Sequence, residues 1–175
     1  MPISGDISGQ LKIGVVLKIS KAFQNSTLLN RPWGETESKK VVVHEFTHTV
    51  TLKLLLDHEP QPVNSKNLDK KFSTFPTWLW ESISVYEAQQ FVDPKSLPYL
   101  NNGQHPNIAE LNNRIKGGKI YSCGFTIIEY ILFKYGQEDF IRLIENFGDL
   151  KTTFNVTDEQ FCNEWYGFIK KKYLK

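Results

Sequence analysis

The hydrophobic pattern changes period once along the chain. Leu11, Ile13, Val15, Leu17 and Ile19 alternate with Lys12, Gly14, Val16 and Lys18, a period of two that predicts a half-buried strand. Residues 20–36 are rich in Asn, Ser and Thr around Pro32-Trp33-Gly34 and read as a loop or a weak second strand. From Ser38, read as an N-cap, the spacing of Val42, Val43, Phe46, Val50 and Leu54 predicts a helix to about Leu56. A polar connection with two prolines follows. A second helix is expected from Pro76 or Thr77 to about Phe91, with proline where a first turn tolerates it. Further helical patterns cover 107–115, 119–135 and 137–147, the last two stopped by Gly136 and Gly148. The final helix starts at Thr157, which forms a capping box with Gln160. The fold class expected is α+β, mainly helical, with a small β element in front. No repeat or composition break divides residues 1–175, so a single domain is expected.

Composition narrows the function classes only a little. A chain of 175 residues with 40% apolar residues can bury a core without staples, and a net charge of +2 favours no charged partner. Lys170, Lys171, Lys172 and Lys175 read as a solvated helix end, so no nucleic-acid partner is expected. Cys123 and Cys162 are too few for a disulfide framework and too far apart for a metal knuckle; both read as small buried hydrophobes. No apolar run is long enough to span a bilayer, and the N-terminus shows no signal-peptide pattern. A cytoplasmic location is expected on that ground; a chain trimmed of its leader would read the same, leaving an extracellular one open. Oligomeric state is not set by the sequence.

The stretch Val41 to Val50, VVVHEFTHTV, places two histidines and a glutamate inside an apolar run. Four residues advance a helix by about 400°, so His44 and His48 share a face about 6 Å apart along the axis and can reach one tetrahedral ion. Glu45, beside the first histidine, points to the side where a water on such an ion would sit, and a carboxylate there can take its proton. The competing reading is a buried helix whose histidines are merely hydrogen-bonded.

A catalytic zinc site needs a third protein ligand and one open position. His58 lies ten residues past His48, in the exit loop, and Leu54 occupies the position six residues past it, where some zinc helices carry a third histidine. Glu81 is the better candidate: it follows an aromatic cluster and shares a face with Trp78, Val85 and Ala88, where an uncompensated acid is costly.

With HEFTH at 44–48 and PTWLWESISVY at 76–86, the chain resembles the gluzincin metallopeptidases, in particular the small peptidase-MA-like domains with their HExxH helix and second helix of the form PxWLxEGxAxY. Pro76, Trp78, Leu79, Glu81 and Tyr86 match that pattern; Ser82 and Ser84 stand where the family has Gly and Ala, and slightly looser helix packing is expected from them. Thirty-two residues separate His48 from Glu81, more than in thermolysin-like enzymes. The similarity extends from about Leu11 to Tyr173, generic after the two zinc motifs. The resemblance implies a zincin-like fold and a zinc peptidase with one Zn2+ per chain. His44, His48 and Glu81 would be its ligands and Glu45 its general base, acting on a peptide or protein substrate. The strand at Leu11 to Ile19 would line the cleft and pair with extended substrate. Tyr121 and His105 are the candidates for stabilising the oxyanion, and Tyr86 for supporting the site; each has packing or loop placement as its rival role. Two alternatives stay open: a non-catalytic peptide- or protein-binding module on the same scaffold, and a metal-dependent amidase.

Overall fold

The computed structural model describes residues 35–59, 70–113 and 117–175. The expected strand at Leu11 to Ile19 lies outside them, as does the stretch 20–34. Among the described residues the chain is mostly helical, without a strand, and no helix is long and apolar enough to cross a membrane. In chain order the helices are α1 (Glu35–Asp57), α2 (Thr77–Glu87), two four-residue helices α3 (Pro98–Asn101) and α4 (Ile108–Leu111), the long α5 (Ile120–Glu145), the short α6 (Leu150–Phe154) and α7 (Asp158–Lys172).

The helix α1 begins earlier than its sequence suggests. Ser38 sits inside the first turns and does not cap them. The buried stripe is not the most apolar one. His44, Thr47, His48, Thr51 and Leu55 face inward, at i, i+3, i+4, i+7 and i+11, while Val42, Val43, Phe46 and Val50 are exposed. Its polar side is therefore the packing side, which requires partners for each buried polar group. Thr47 finds one within the helix, its hydroxyl donating to the Val43 carbonyl at 2.8 Å.

Those partners come from α2, which lies between α1 and α5 and packs most extensively on α5. Pro76 precedes α2 in extended conformation and has no side chain to cap it. The first free amide is met from outside: Trp78 N–H donates to Asn112 Oδ1 at 3.1 Å. Trp78, Leu79, Ile83 and Val85 are buried, and with Ile120, Ile127 and Ile131 of α5 they anchor the centre of the molecule. Each such side chain contributes about 1.5–3 kcal/mol relative to exposure. Cys123 and Cys162 are buried as expected, and burial pushes their thiols up to about 12 and about 11.

Ser82 does not hold α2 off α5, because Gly124 of α5 faces it. A Cβ at Gly124 would stand 3.0 Å from Ser82 Oγ and 3.2 Å from both Ser82 Cα and Ile120 Cδ1. Looser packing, expected from Ser82, is thus avoided by placing the small residue on the opposite helix. Gly124→Ala forces backbone apart, at about 1–3 kcal/mol of overpacking, against a gain of up to about 1 kcal/mol in helix propensity. A fall of several degrees in Tm, followed by circular dichroism, is the expected result; an unchanged or raised Tm would show that the two helices part freely.

The break predicted at Gly136 is present. Its φ of 82° and ψ of 177° interrupt α5, in a region essentially confined to glycine. At the C-terminal end, α7 has the expected box: Gln160 N–H donates to Thr157 Oγ1 and Thr157 N–H to Gln160 Oε1.

Candidate metal centre

Three predicted ligands meet where α1 faces α2. One ligand atom from each of His44, His48 and Glu81 lies within 4.8 Å of the other two. Glu81 Oε2 is 3.2 Å from His44 Nε2 and 3.9 Å from His48 Nε2. Ligand arms of about 2.0–2.1 Å at tetrahedral angles put neighbouring donor atoms about 3.3 Å apart; the Glu81–His44 edge matches that spacing and the Glu81–His48 edge exceeds it. Glu81 keeps 15% side-chain exposure.

The other ring nitrogens are engaged as well. His44 Nδ1 is 2.8 Å from Gln90 Oε1, and His48 Nδ1 is 2.8 Å from Ser84 Oγ. An amide oxygen only accepts, so with the Gln90 oxygen facing it a singly protonated His44 would hold its proton on Nδ1 and turn the lone pair of Nε2 toward Glu81. Two acceptors 3.2 Å apart repel unless positive charge lies between them, whether a second proton on the imidazole or a bound ion. The donor set of two imidazoles and a carboxylate is one that zinc accepts. These residues fit such an ion.

Packing fixes the rings as well. The His48 ring stacks on Trp80 with centroids 4.5 Å apart and planes 5° apart, and His44 meets His48 edge-on at 4.9 Å. Glu45 follows His44 on α1, about 100° round the helix from it and about 60° from His48, partly buried with one carboxylate oxygen shielded. Beside Glu81 opens a cavity of about 400 Å³ whose wall includes Leu52, Leu55, Phe75, Trp80 and Ile120, with Tyr121 at its edge.

The remaining sequence candidates separate. Tyr121 stands at the site, half-exposed, its ring 6.4 Å from that of His44. His105 is placed elsewhere: it stacks on Tyr166 of α7 at 4.6 Å and meets Trp165 edge-on, a packing role. Tyr86 turns from the triangle toward Phe91 and the groove it shares with Tyr130, Phe133 and Phe168. His58 pairs with Glu145 of α5 at 2.8 Å, which excludes it as a third ligand in this arrangement.

No family model, curated protein or solved structure matches the chain.

Sequence reasoning missed Ser84, Gln90 and Trp80. Ser84 lies three residues past Glu81, hence on the same side of α2, which is a legible signal. Gln90 lies beyond the end of the helix, and no periodicity points to it.

Proposed function

We propose that the chain is a zinc-dependent metallopeptidase of gluzincin type, with His44, His48 and Glu81 holding one zinc ion and Glu45 acting as general base. The observation that carries this reading is the convergence of both Nε2 atoms on one Glu81 oxygen while both Nδ1 atoms are otherwise engaged. A zinc ion held there supplies a Lewis acid for the substrate carbonyl and acidifies an adjacent water. Glu45 takes the proton of the attacking water and returns it to the departing amine, the two halves of acid–base work by one carboxyl group. Tyr121, whose ring lies 6.4 Å from that of His44, would donate its hydroxyl to the carbonyl oxygen as charge develops on it. The cavity beside Glu81, with Leu52, Leu55, Phe75, Trp80 and Ile120 in its wall beside Thr77 and Asn113, would receive a side chain of the substrate. A zincin-like fold belongs to the same proposal, its sheet supplied by the segment at Leu11 to Ile19.

Elemental measurement on the purified chain tests this directly. One zinc per chain is expected, together with cleavage of a peptide library that stops on chelation and returns with stoichiometric zinc. A chain that takes up no divalent ion, or cleaves equally well after chelation, overturns the proposal.

A further inference from the structure

Both imidazoles of α1 are gripped from α2 and its exit turn, at the nitrogen turned away from Glu81. Ser84 follows Glu81 by three residues, so its hydroxyl and the carboxylate project from neighbouring stripes of one helix. Ser84 is fully buried, and His48 Nδ1 at 2.8 Å is the partner for its hydroxyl. Gln90 reaches His44 differently. The chain leaves α2 through a tight turn in which Gln89 N–H donates to Tyr86 O and Gln90 N–H to Val85 O, both at 3.0 Å. Gln89 adopts φ 52° there, a left-handed conformation that glycine takes with less strain. Past that turn the Gln90 side-chain amide lies 2.8 Å from His44 Nδ1.

We propose that Ser84 and Gln90 are positioning residues of the metal centre, accepting the Nδ1–H of His48 and His44 so that both rings present Nε2 to the ion. This rests on the zinc reading above. Without these acceptors each ring can rotate or carry its proton on Nε2, and either change withdraws a ligand lone pair. One helix and its exit turn then supply the carboxylate ligand and both orienting contacts. To the holding of the ion the histidine helix contributes only the rings.

The test uses the full chain with zinc as the probe. Zinc affinity is measured by competition with a chromophoric chelator, and the tautomers of His44 and His48 by long-range nitrogen–proton spectra. Gln90→Leu, which keeps the bulk and loses the acceptor, and Ser84→Ala are each expected to weaken zinc binding about 10–100-fold. The zinc-free Tm of Gln90→Leu, a partly exposed position, should stay close to that of the parent. Gln90→Glu, which keeps an acceptor, should hold zinc at least as tightly as the parent. The His44 Nδ1–H form should dominate in the parent and give way to Nε2–H in Gln90→Leu. A parent that binds zinc while Gln90→Leu and Ser84→Ala bind it equally well overturns the positioning role alone. His44 protonated on Nε2 in the zinc-free parent also overturns it, since the Gln90 amide would then present its nitrogen. A parent that binds no zinc overturns both readings.

Discussion

Glu45→Gln is expected to bind zinc as tightly as the parent and to lose about 10²–10⁴ of kcat/KM, the usual contribution of a general base. At about 1.36 kcal/mol per decade this corresponds to about 3–5 kcal/mol of barrier. The substitution is nearly isosteric, and Glu45 is not a member of the ligand triangle, so the ion has no reason to leave. What changes is the ability to accept a proton: an amide oxygen accepts a hydrogen bond but does not take the proton away. Steady-state kinetics beside a zinc titration on the same sample separate the two effects. Parental rates in Glu45→Gln would remove Glu45 from the mechanism, and loss of the ion would make it a structural contributor to the site.

How far the sequence could be read depends on which physical signal each feature leaves. The i, i+4 histidines and the glutamate between them are local, and the helix geometry of α1 places them as their spacing demands. Glu81 was recognisable as an acid on an otherwise apolar stripe of α2, where burial without compensation is unfavourable. Gly136 and the Thr157–Gln160 box announced a break and a start through backbone chemistry that does not depend on tertiary context. The short helices α3 and α6 were not legible, because four or five residues carry no measurable period.

The helix of α1 was legible from its spacing, but which of its faces is buried was not. Val42, Val43, Phe46 and Val50 form the stronger hydrophobic stripe, and periodicity assigns the stronger stripe to the interior. In the structure those side chains are exposed, and the stripe led by His44, Thr47, His48 and Thr51 is buried instead. A pattern of hydrophobicity has no access to hydrogen bonds from another helix, and here Ser84, Gln90 and Glu81 make the polar stripe the buried one. His105 failed as a candidate for a related reason. Its neighbours Gly103 and Pro106 mark a loop, but only the fold shows that this loop lies on α7.

Glu81→Ala tests the remaining and largest structural dependence, that the zinc site needs the helix α2. Zinc at about 100 times its Kd should stabilise the parent by about 2.7 kcal/mol, which for a domain of this size raises Tm by about 5–11 °C. In Glu81→Ala the third arm of the triangle is missing, and the same zinc concentration should give no shift. Without zinc the order should not follow the usual rule that removing a partly buried side chain destabilises. Where His44 gives its only proton to Gln90, Glu81 Oε2 sits 3.2 Å from a bare ring nitrogen in the zinc-free chain, so deleting the carboxylate then removes a repulsion as well as some packing. Zinc-free Glu81→Ala is therefore expected to melt no lower than the zinc-free parent, as befits a group kept for function at the expense of stability. Melting curves of both proteins, with and without zinc, read all four states. A zinc-dependent rise that survives in Glu81→Ala would show that the ion, if bound, is held by α1 without this carboxylate. A zinc-free variant much less stable than its parent would show instead that Glu81 serves as a partner that holds the two imidazoles in place, and that the triangle is a hydrogen-bonded core.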